Sequence, residues 1–519
     1  MLDPARLTER RHVYRDLIPW LAKWGYNTLL WHFTDDQGCA LAFPSHPEIA
    51  GPHAWSPREM RALIAFAHDH GITIIPEVES LGHTDCITRI ARYKHLRDGT
   101  AGKIFQALCP VHPGTRAVIG DLLRDTAEIF DAPWIHAGMD ETSFGDHPLT
   151  RRALRSKKKH ELYADHVIWL HSEIRNLGRA MMMWGDHLLP HFGAGEAHYV
   201  DAEAINPRIA RTIPKDIVIC DWHYQPKPDP RTVDFLLDEG FTVVGCPAAS
   251  CYGLLAHPRQ ANLDNLRDFA RIAAARRSRG VLGMINTVWC PWRYFTGTTL
   301  FGIAFGAVCQ QTGGVVPEDF PADFAAETFG LPVQAARKAG AALAALHAAL
   351  PHANDLGAAF PQRMAEIAAI DAARSAQLSG IAQEAQQAFG VLEAQHARVR
   401  RFGHYYDEIV FTARALGEAA HRAVLLRQML DQRRRSGTGK AAQAWLAREA
   451  AEAKALHRAA LRLWDRQRYA DDPMRAAGAK AGFDFFVQRL ESTAKLVGTM
   501  ACRRTKARAK PAWQRTRNS

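Results

Sequence analysis

The sequence has no uninterrupted apolar run of the roughly 18 residues or more that a helix needs to cross a bilayer. Its opening segment, MLDPARLTER, lacks the apolar stretch of a secretory signal. A soluble, cytoplasmic chain is therefore the expectation. There is no Cys-x-x-Cys pair, and the 9 cysteines stand singly along the chain. A scattered, odd set excludes a disulfide framework and points to reduced, mostly buried thiols; Cys246 and Cys251 alone are spaced for a redox pair. No HExxH motif or EF-hand loop occurs, so neither a metal nor another cofactor is expected. No tandem repeat of fixed period is evident. Acids are missing from the last stretch, where Arg503, Arg504, Lys506, Arg508, Lys510, Arg515 and Arg517 add to a formal net charge of +11. Such a tail can meet nucleic acid or an anionic surface. No recognition motif accompanies it, so nucleic acid is not the expected partner, and 501–519 reads as a basic, disordered end.

What is present is a long chain with a large core. Its 519 residues, 47% of them hydrophobic, suit two or three domains. Over the first three hundred or so, short apolar runs alternate with helical patterns. In one unit Ser56-Pro57-Arg58-Glu59 is a helix start, with Met60, Leu63, Ile64 and Ala67 at helical spacing. Gly71 then closes the helix, and Ile72-Thr73-Ile74-Ile75 reads as a strand buried on both faces. Further strands are expected over 27–33, 134–141, 180–186, 217–222, 242–247 and 281–289, that of Ile72 running to Glu79. Strands alternating with helices predict a parallel sheet, and this many suit an eight-stranded (β/α)₈ barrel over 1–315. Only Met1-Leu2-Asp3 remains to supply the first strand. From about residue 316 to 500 no strand is expected. Leu456, Ala460, Leu463 and Trp464 form a helix stripe there, and Gly437-Thr438-Gly439 breaks two helices.

Several expected strands finish in polar or aromatic residues: His32 with Asp35 and Asp36, Glu77 and Glu79, Asp140 and Glu141, Trp184 and Asp186, Asp221 and Trp222, and Trp289. Such a carboxylate can simply cap the next helix. Five strand ends carrying them, with tryptophans alongside, point instead to the active face of a barrel that handles sugars. Aromatic faces stack on sugar rings, and carboxylates manage protons and hydroxyls.

Three motifs carry a resemblance. Trp134-Ile-His-Ala-Gly-Met-Asp-Glu141 resembles the His-x-Gly-Gly-Asp-Glu signature of glycoside hydrolase family 20, the β-N-acetylhexosaminidases, with Met139 in place of the second Gly. Trp31-His-Phe-Thr-Asp-Asp-Gln-Gly38 and Ile75-Pro-Glu-Val-Glu-Ser-Leu-Gly-His83 are similar to two further motifs of that family, in the same order. The resemblance implies an exo-acting glycosidase that removes terminal β-linked N-acetylglucosamine or N-acetylgalactosamine from an oligosaccharide or glycoconjugate. It implies a substrate-assisted retaining mechanism, in which the sugar's own acetamido oxygen attacks, unlike the usual pair of carboxylates. Glu141 is then the general acid and Asp140 the residue that orients the acetamido group. His83 and Asp35 form a relay behind Glu141, with Asp36 able to exchange roles with Asp35. Consecutive residues at a strand end would point the two acids different ways.

Trp184, Trp222 and Trp289 are the expected pocket walls, with Trp292 or Arg293 compensating for a missing acid. Tyr224, or else Tyr252, would reach the acetamide oxygen. His136 is a candidate for the sugar site that could equally hydrogen-bond inside the barrel. The chain departs from the family in reading Trp289-Cys-Pro-Trp292 where Trp-Gly-Glu is usual, and in Glu79 and Leu81. Met1-Leu2-Asp3-Pro-Ala-Arg6 resembles only the end of the family's first strand, which predicts two neighbours with unpaired edges and a gain in solubility and activity on adding upstream residues. A sugar-binding barrel without turnover is the alternative reading, although a pure binder needs no acid. The C-terminal helices could form a homodimer or merely brace the barrel.

Overall fold

The computed structural model describes residues 1–99, 107–190, 206–250, 259–350, 355–436, 440–472 and 486–502. The strands are β1 (Thr28–His32), β2 (Thr73–Glu77), β3 (Trp134–His136), β4 (Ala180–Trp184), β5 (Val218–Trp222), β6 (Thr242–Cys246), β7 (Ala248–Ser250), β8 (Val281–Met284) and β9 (Thr287–Val288). A seven-stranded sheet runs in the order β1-β2-β3-β4-β5-β6-β8, parallel throughout, and the β7–β9 pair carries its last ladder upward. The apolar interiors of these strands are buried because helices cover the outside and side chains fill the inside.

The first residues do more than a stub would suggest. Leu2 donates its amide to Leu30 and accepts from His32, both at 3.1 Å. On the other side Met1 accepts from the amide of Val288 at 3.2 Å, and its own nitrogen donates to the carbonyl of Asn286. Met1 and Leu2 thus join β1 to β9 and close the ring at its upper rim, where the expectation was unpaired edges. The local grammar also holds. Ser56 and Glu59 make the reciprocal capping box, and Gly71 takes φ +74° at the end of that helix.

Among the described residues no strand follows Val288. Helices Leu300–Thr312, Phe320–Phe329, Val333–Ala349, Met364–Ala368, Ala372–Gln395, Gly403–Ser436, Lys440–Gln467 and Phe486–Cys502 follow it, with short 3₁₀ turns between some of them. Leu456, Ala460, Leu463 and Trp464 are buried, so Trp464 is core. The Gly437–Gly439 break, Cys251, Tyr252 and the tail from Arg503 lie outside the described residues, whereas Ala501 and Cys502, expected in that tail, end helix Phe486–Cys502. Cys39, Cys86, Cys109, Cys220, Cys246, Cys290 and Cys309 are free and buried. Among the described residues no helix is long and apolar enough to cross a membrane.

The helical half is tied to the barrel beside the segment that carries Asp3 and Arg6. The buried Arg468 guanidinium pairs with Glu9 at 3.3 Å and lies 4.3 Å over the Trp464 ring. Arg10 donates its amide to the carbonyl of Gln467 at 2.7 Å and its Nε to that of Arg468 at 3.1 Å. Removing one member of a buried pair strands the other, at about 3 kcal/mol or more. Arg468→Met is therefore expected to lower stability to urea by about 3 kcal/mol. A loss well under about 1 kcal/mol would show the pair to be idle.

Candidate active site

The site begins where β3 stops early. The strand ends at His136, and the next residues turn through left-handed backbone, with φ +65° at Gly138, +82° at Met139 and +45° at Glu141. Gly138 has no room for a side chain, because a Cβ there would stand 2.1 Å from Glu79 Oε2. Met139 and Glu141 have no such excuse, and a left-handed conformation costs a residue with a side chain about 1–3 kcal/mol. Several bonds impose it. Trp184 donates its amide to Gly138 O at 3.0 Å, and the Tyr163 hydroxyl donates to Met139 O at 2.7 Å. Glu141 donates its amide to Asp186 Oδ2, and Thr142 donates to His187 Nε2, each at 3.0 Å. The two acids therefore part company through a constrained turn, and the alternation of a regular strand is not the cause.

Loops from β1 and β2 complete the cluster. Gly82 packs so closely on the Asp140 carbonyl that a Cβ would meet it at 2.5 Å, which presses the following His83 (φ +50°) against the acids. His83 Nε2 lies 3.2 Å from Glu141 Oε2 and 3.8 Å from Asp140 Oδ2. Its Nδ1 lies 3.5 Å from Asp35 Oδ2 and 3.8 Å from Asp36 Oδ2. Asp35 is the nearer and fully buried partner, whereas Asp36 accepts the amide of Asp85 at 2.9 Å. The same Asp35 oxygen meets Arg6 Nη2 at 2.7 Å and His32 Nε2 at 2.9 Å.

Burial and charge divide the carboxyls. Burial alone would raise Asp35, but Arg6, His83 and His32 hold it well below the usual range. Burial pushes Asp140 up to about 7, with Asp186 and Glu141 adding to the effect and His83 opposing it. Glu79 is raised well above the usual range by burial and by Asp140; neither of its oxygens has a hydrogen-bond partner among the described residues. One buried acid is thus kept charged, whereas burial pushes its neighbours Asp140 and Glu79 toward the protonated form.

Asp140 and Glu141 open onto a pocket lined by Arg6, Trp222, Tyr224, Trp289 and Cys290. Trp222 stacks on Tyr224 with ring centroids 5.2 Å apart, and Trp289 Nε1 donates to the Tyr224 hydroxyl at 2.8 Å. The Arg6 guanidinium lies 4.9 Å from the Trp289 ring centre. One expected wall, Trp184, and two other candidates, His136 and Trp292, sit elsewhere. Trp184 is fully buried one layer down, its indole N–H donating to Glu77 Oε1 at 2.6 Å. His136 lies beside it in the barrel interior, accepts the Gly138 amide at 3.1 Å, and is lowered to about 4 by burial. Trp292 is buried behind the pocket loop and does not line the cavity. Arg6 was legible only as the end of a motif and Asp186 only as the end of an expected strand, and His187 carried no signal; their tasks depend on contacts across the rim.

Histidine and carboxylate atoms crowd together at His32 with Glu77 and Glu79, at His83 with Asp35 and Asp36, and at His83 with Asp140 and Glu141. Both ring nitrogens of His32 and of His83 lie within ion-pair distance of carboxylates.

Residues 1–278 match the family model described as "Glycosyl hydrolase family 20, catalytic domain". The chain is 27% identical to a β-hexosaminidase of Vibrio furnissii over 221 residues, 36% of this chain and 36% of that one. It is 28% identical to the β-hexosaminidase subunit beta of Felis catus over 133 residues, 23% and 24% of the two chains. It thus spans about a third or less of the length of these relatives. A solved Flavobacterium johnsoniae chitobiase aligns with TM-score 0.49 and 15% identity, over 96% of this chain and 77% of that one.

Proposed function

The chain belongs to glycosyl hydrolase family 20, and on that premise we propose that it is an exo-acting β-N-acetylhexosaminidase working by substrate-assisted retention. One observation carries the reading: Asp140 and Glu141, adjacent in sequence, share one aromatic-walled pocket while only Glu141 sits at hydrogen-bond distance from the His83–Asp35 pair. Glu141 gives its proton to the glycosidic oxygen and later takes one from water. Asp140 accepts the acetamido N–H, turns the amide oxygen toward the anomeric carbon, and steadies the cationic oxazoline-like intermediate. Trp222, Tyr224 and Trp289 wall the N-acetyl group, with Tyr224 near the amide oxygen. The substrate is a chain ending in β-linked N-acetylglucosamine or N-acetylgalactosamine. Residues 1–315 are the catalytic barrel, and 316–500 a helical unit bracing it.

A panel of 4-nitrophenyl glycosides tests this. Release is expected from N-acetyl-β-glucosaminide or N-acetyl-β-galactosaminide, with competitive inhibition by a thiazoline mimic of the intermediate. Equal turnover of the plain β-glucoside would sink it, because no acetamido group is then involved.

The acid limb of the pH profile follows from Asp140. Burial raises it to about 7, and only its anion can hold the acetamido N–H. A raised acid is protonated below that value, so kcat/KM is expected to fall about tenfold per unit as pH drops below roughly 7. A flat kcat/KM from pH 5 to 7 would contradict this.

A further inference from the structure

The charged line behind Glu141 does not stop at Asp35. His32 lies on the far side of that carboxylate, its Nε2 2.9 Å from Asp35 Oδ2 and its Nδ1 2.9 Å from Glu77 Oε2. Glu77 in turn accepts the Trp184 indole N–H at 2.6 Å. The result is an unbroken buried row, Glu141–His83–Asp35–His32–Glu77, built from three strand ends and anchored on a fourth. We propose that His32 is a positioning residue of the site: a buried imidazolium clamped between Asp35 and Glu77 that fixes the charge behind His83 and so sets how readily Glu141 parts with its proton. The inference rests on the acid role assigned to Glu141 above.

The surroundings of His32 support a lasting charge. From the N-terminal segment Asp3 lies 4.0 Å from Nε2, while Arg6 is engaged with Asp3 and Asp35. From β2 come Glu77 and, in the loop just beyond it, Glu79. From β3 comes His136, 3.4 Å from Glu77 and itself kept neutral by burial. From beyond β9 the Trp289 ring packs edge-on with centroids 5.0 Å apart, so that the same histidine also props a pocket wall. Burial opposes a charge on His32, yet Glu77 and Asp35 outweigh it and push it up to about 10. Both ring nitrogens face carboxylates, and only an imidazolium has two N–H groups to give them.

The clamp predicts opposite effects for its two ends. His32→Gln removes a positive charge and leaves the row more negative, so the site keeps its acid proton longer. The alkaline limb of kcat/KM should move up by about half to one pH unit. Glu77→Gln removes a negative charge and should move that limb down by a similar amount. The double variant should lie close to wild type. A merely structural role would lower rates without moving the limbs in opposite senses. Nitrogen-edited NMR of the histidine-labelled full chain reads the ring without turnover. The signal lost in His32→Gln or His32→Asn should show both nitrogens protonated from pH 6 to 9. A neutral ring over that range overturns the proposal, as do single variants that move the limb the same way or not at all. If wild type hydrolyses no glycoside of the panel, the enzymatic reading fails by itself, and the NMR signal still decides the charge on His32.

Discussion

Glu141→Gln is expected to lower kcat on 4-nitrophenyl N-acetyl-β-glucosaminide by about a thousandfold, while KM changes little. General acid catalysis by a placed side chain contributes roughly 10²–10⁴-fold. The amide keeps the shape of the carboxyl and an oxygen for His83 Nε2, now 3.2 Å from Glu141 Oε2, but has no acidic proton to give. The loss should depend on the leaving group. A 2,4-dinitrophenyl glycoside departs with little protonation, so its first step should suffer much less than that of a 4-methoxyphenyl glycoside. Stability should hold, because the Glu141 amide, which fixes the turn, still donates to Asp186. A variant retaining more than about a tenth of wild-type kcat on the poor leaving group would remove Glu141 from the acid role.

Much of this site could be read before the fold was known, because it lies at strand ends in three short motifs. Period and flanking turns located β1, β2, β4, β5 and β6 within a few residues, as buried parallel strands alternate with capped helices. The motifs located Asp35, His83, Asp140 and Glu141, and the structure brings all four together. What could not be read is depth. Trp184 and Trp222 both close a strand, yet Trp184 turns inward to Glu77 whereas Trp222 reaches the pocket. That choice depends on which neighbour offers a buried acceptor, a contact between residues 107 apart in the chain. For His136 the interior alternative is the one the structure shows, since it is buried and accepts the Gly138 amide. The early end of β3 was missed too: the strand was expected to run to Glu141, although Ala137 to Glu141 holds no β-branched or aromatic residue, and the crowding of Glu79 on Gly138 and the bonds to Tyr163 and Asp186 set the turn there. Met1 and Leu2 read as a remnant by length, because their pairing to both neighbours is a property of ring closure.

The second large effect belongs to Asp140→Asn, and it should differ in kind from the first. The substitution is nearly isosteric and resembles the protonated acid, the form favoured in the free site below about pH 7. It takes away the anion that accepts the acetamido N–H and faces the cationic intermediate. A charge-assisted bond in a buried site that strengthens toward the transition state is worth about 3–5 kcal/mol, hence a fall in kcat/KM of roughly 10²–10⁴-fold. Unlike Glu141→Gln, this loss should be insensitive to the leaving group, since ring closure of the acetamido oxygen, not proton delivery, is impaired. Affinity for the thiazoline should fall in parallel, because that mimic presents the charge and geometry Asp140 is placed to meet, whereas Glu141→Gln should leave most of it intact. The acid limb of kcat/KM should vanish as well, as the group that titrates near 7 is gone. Thiazoline affinity unchanged in Asp140→Asn would mean that the carboxylate beside His83 serves the fold rather than the sugar, and the division of labour between the two acids would have to be redrawn.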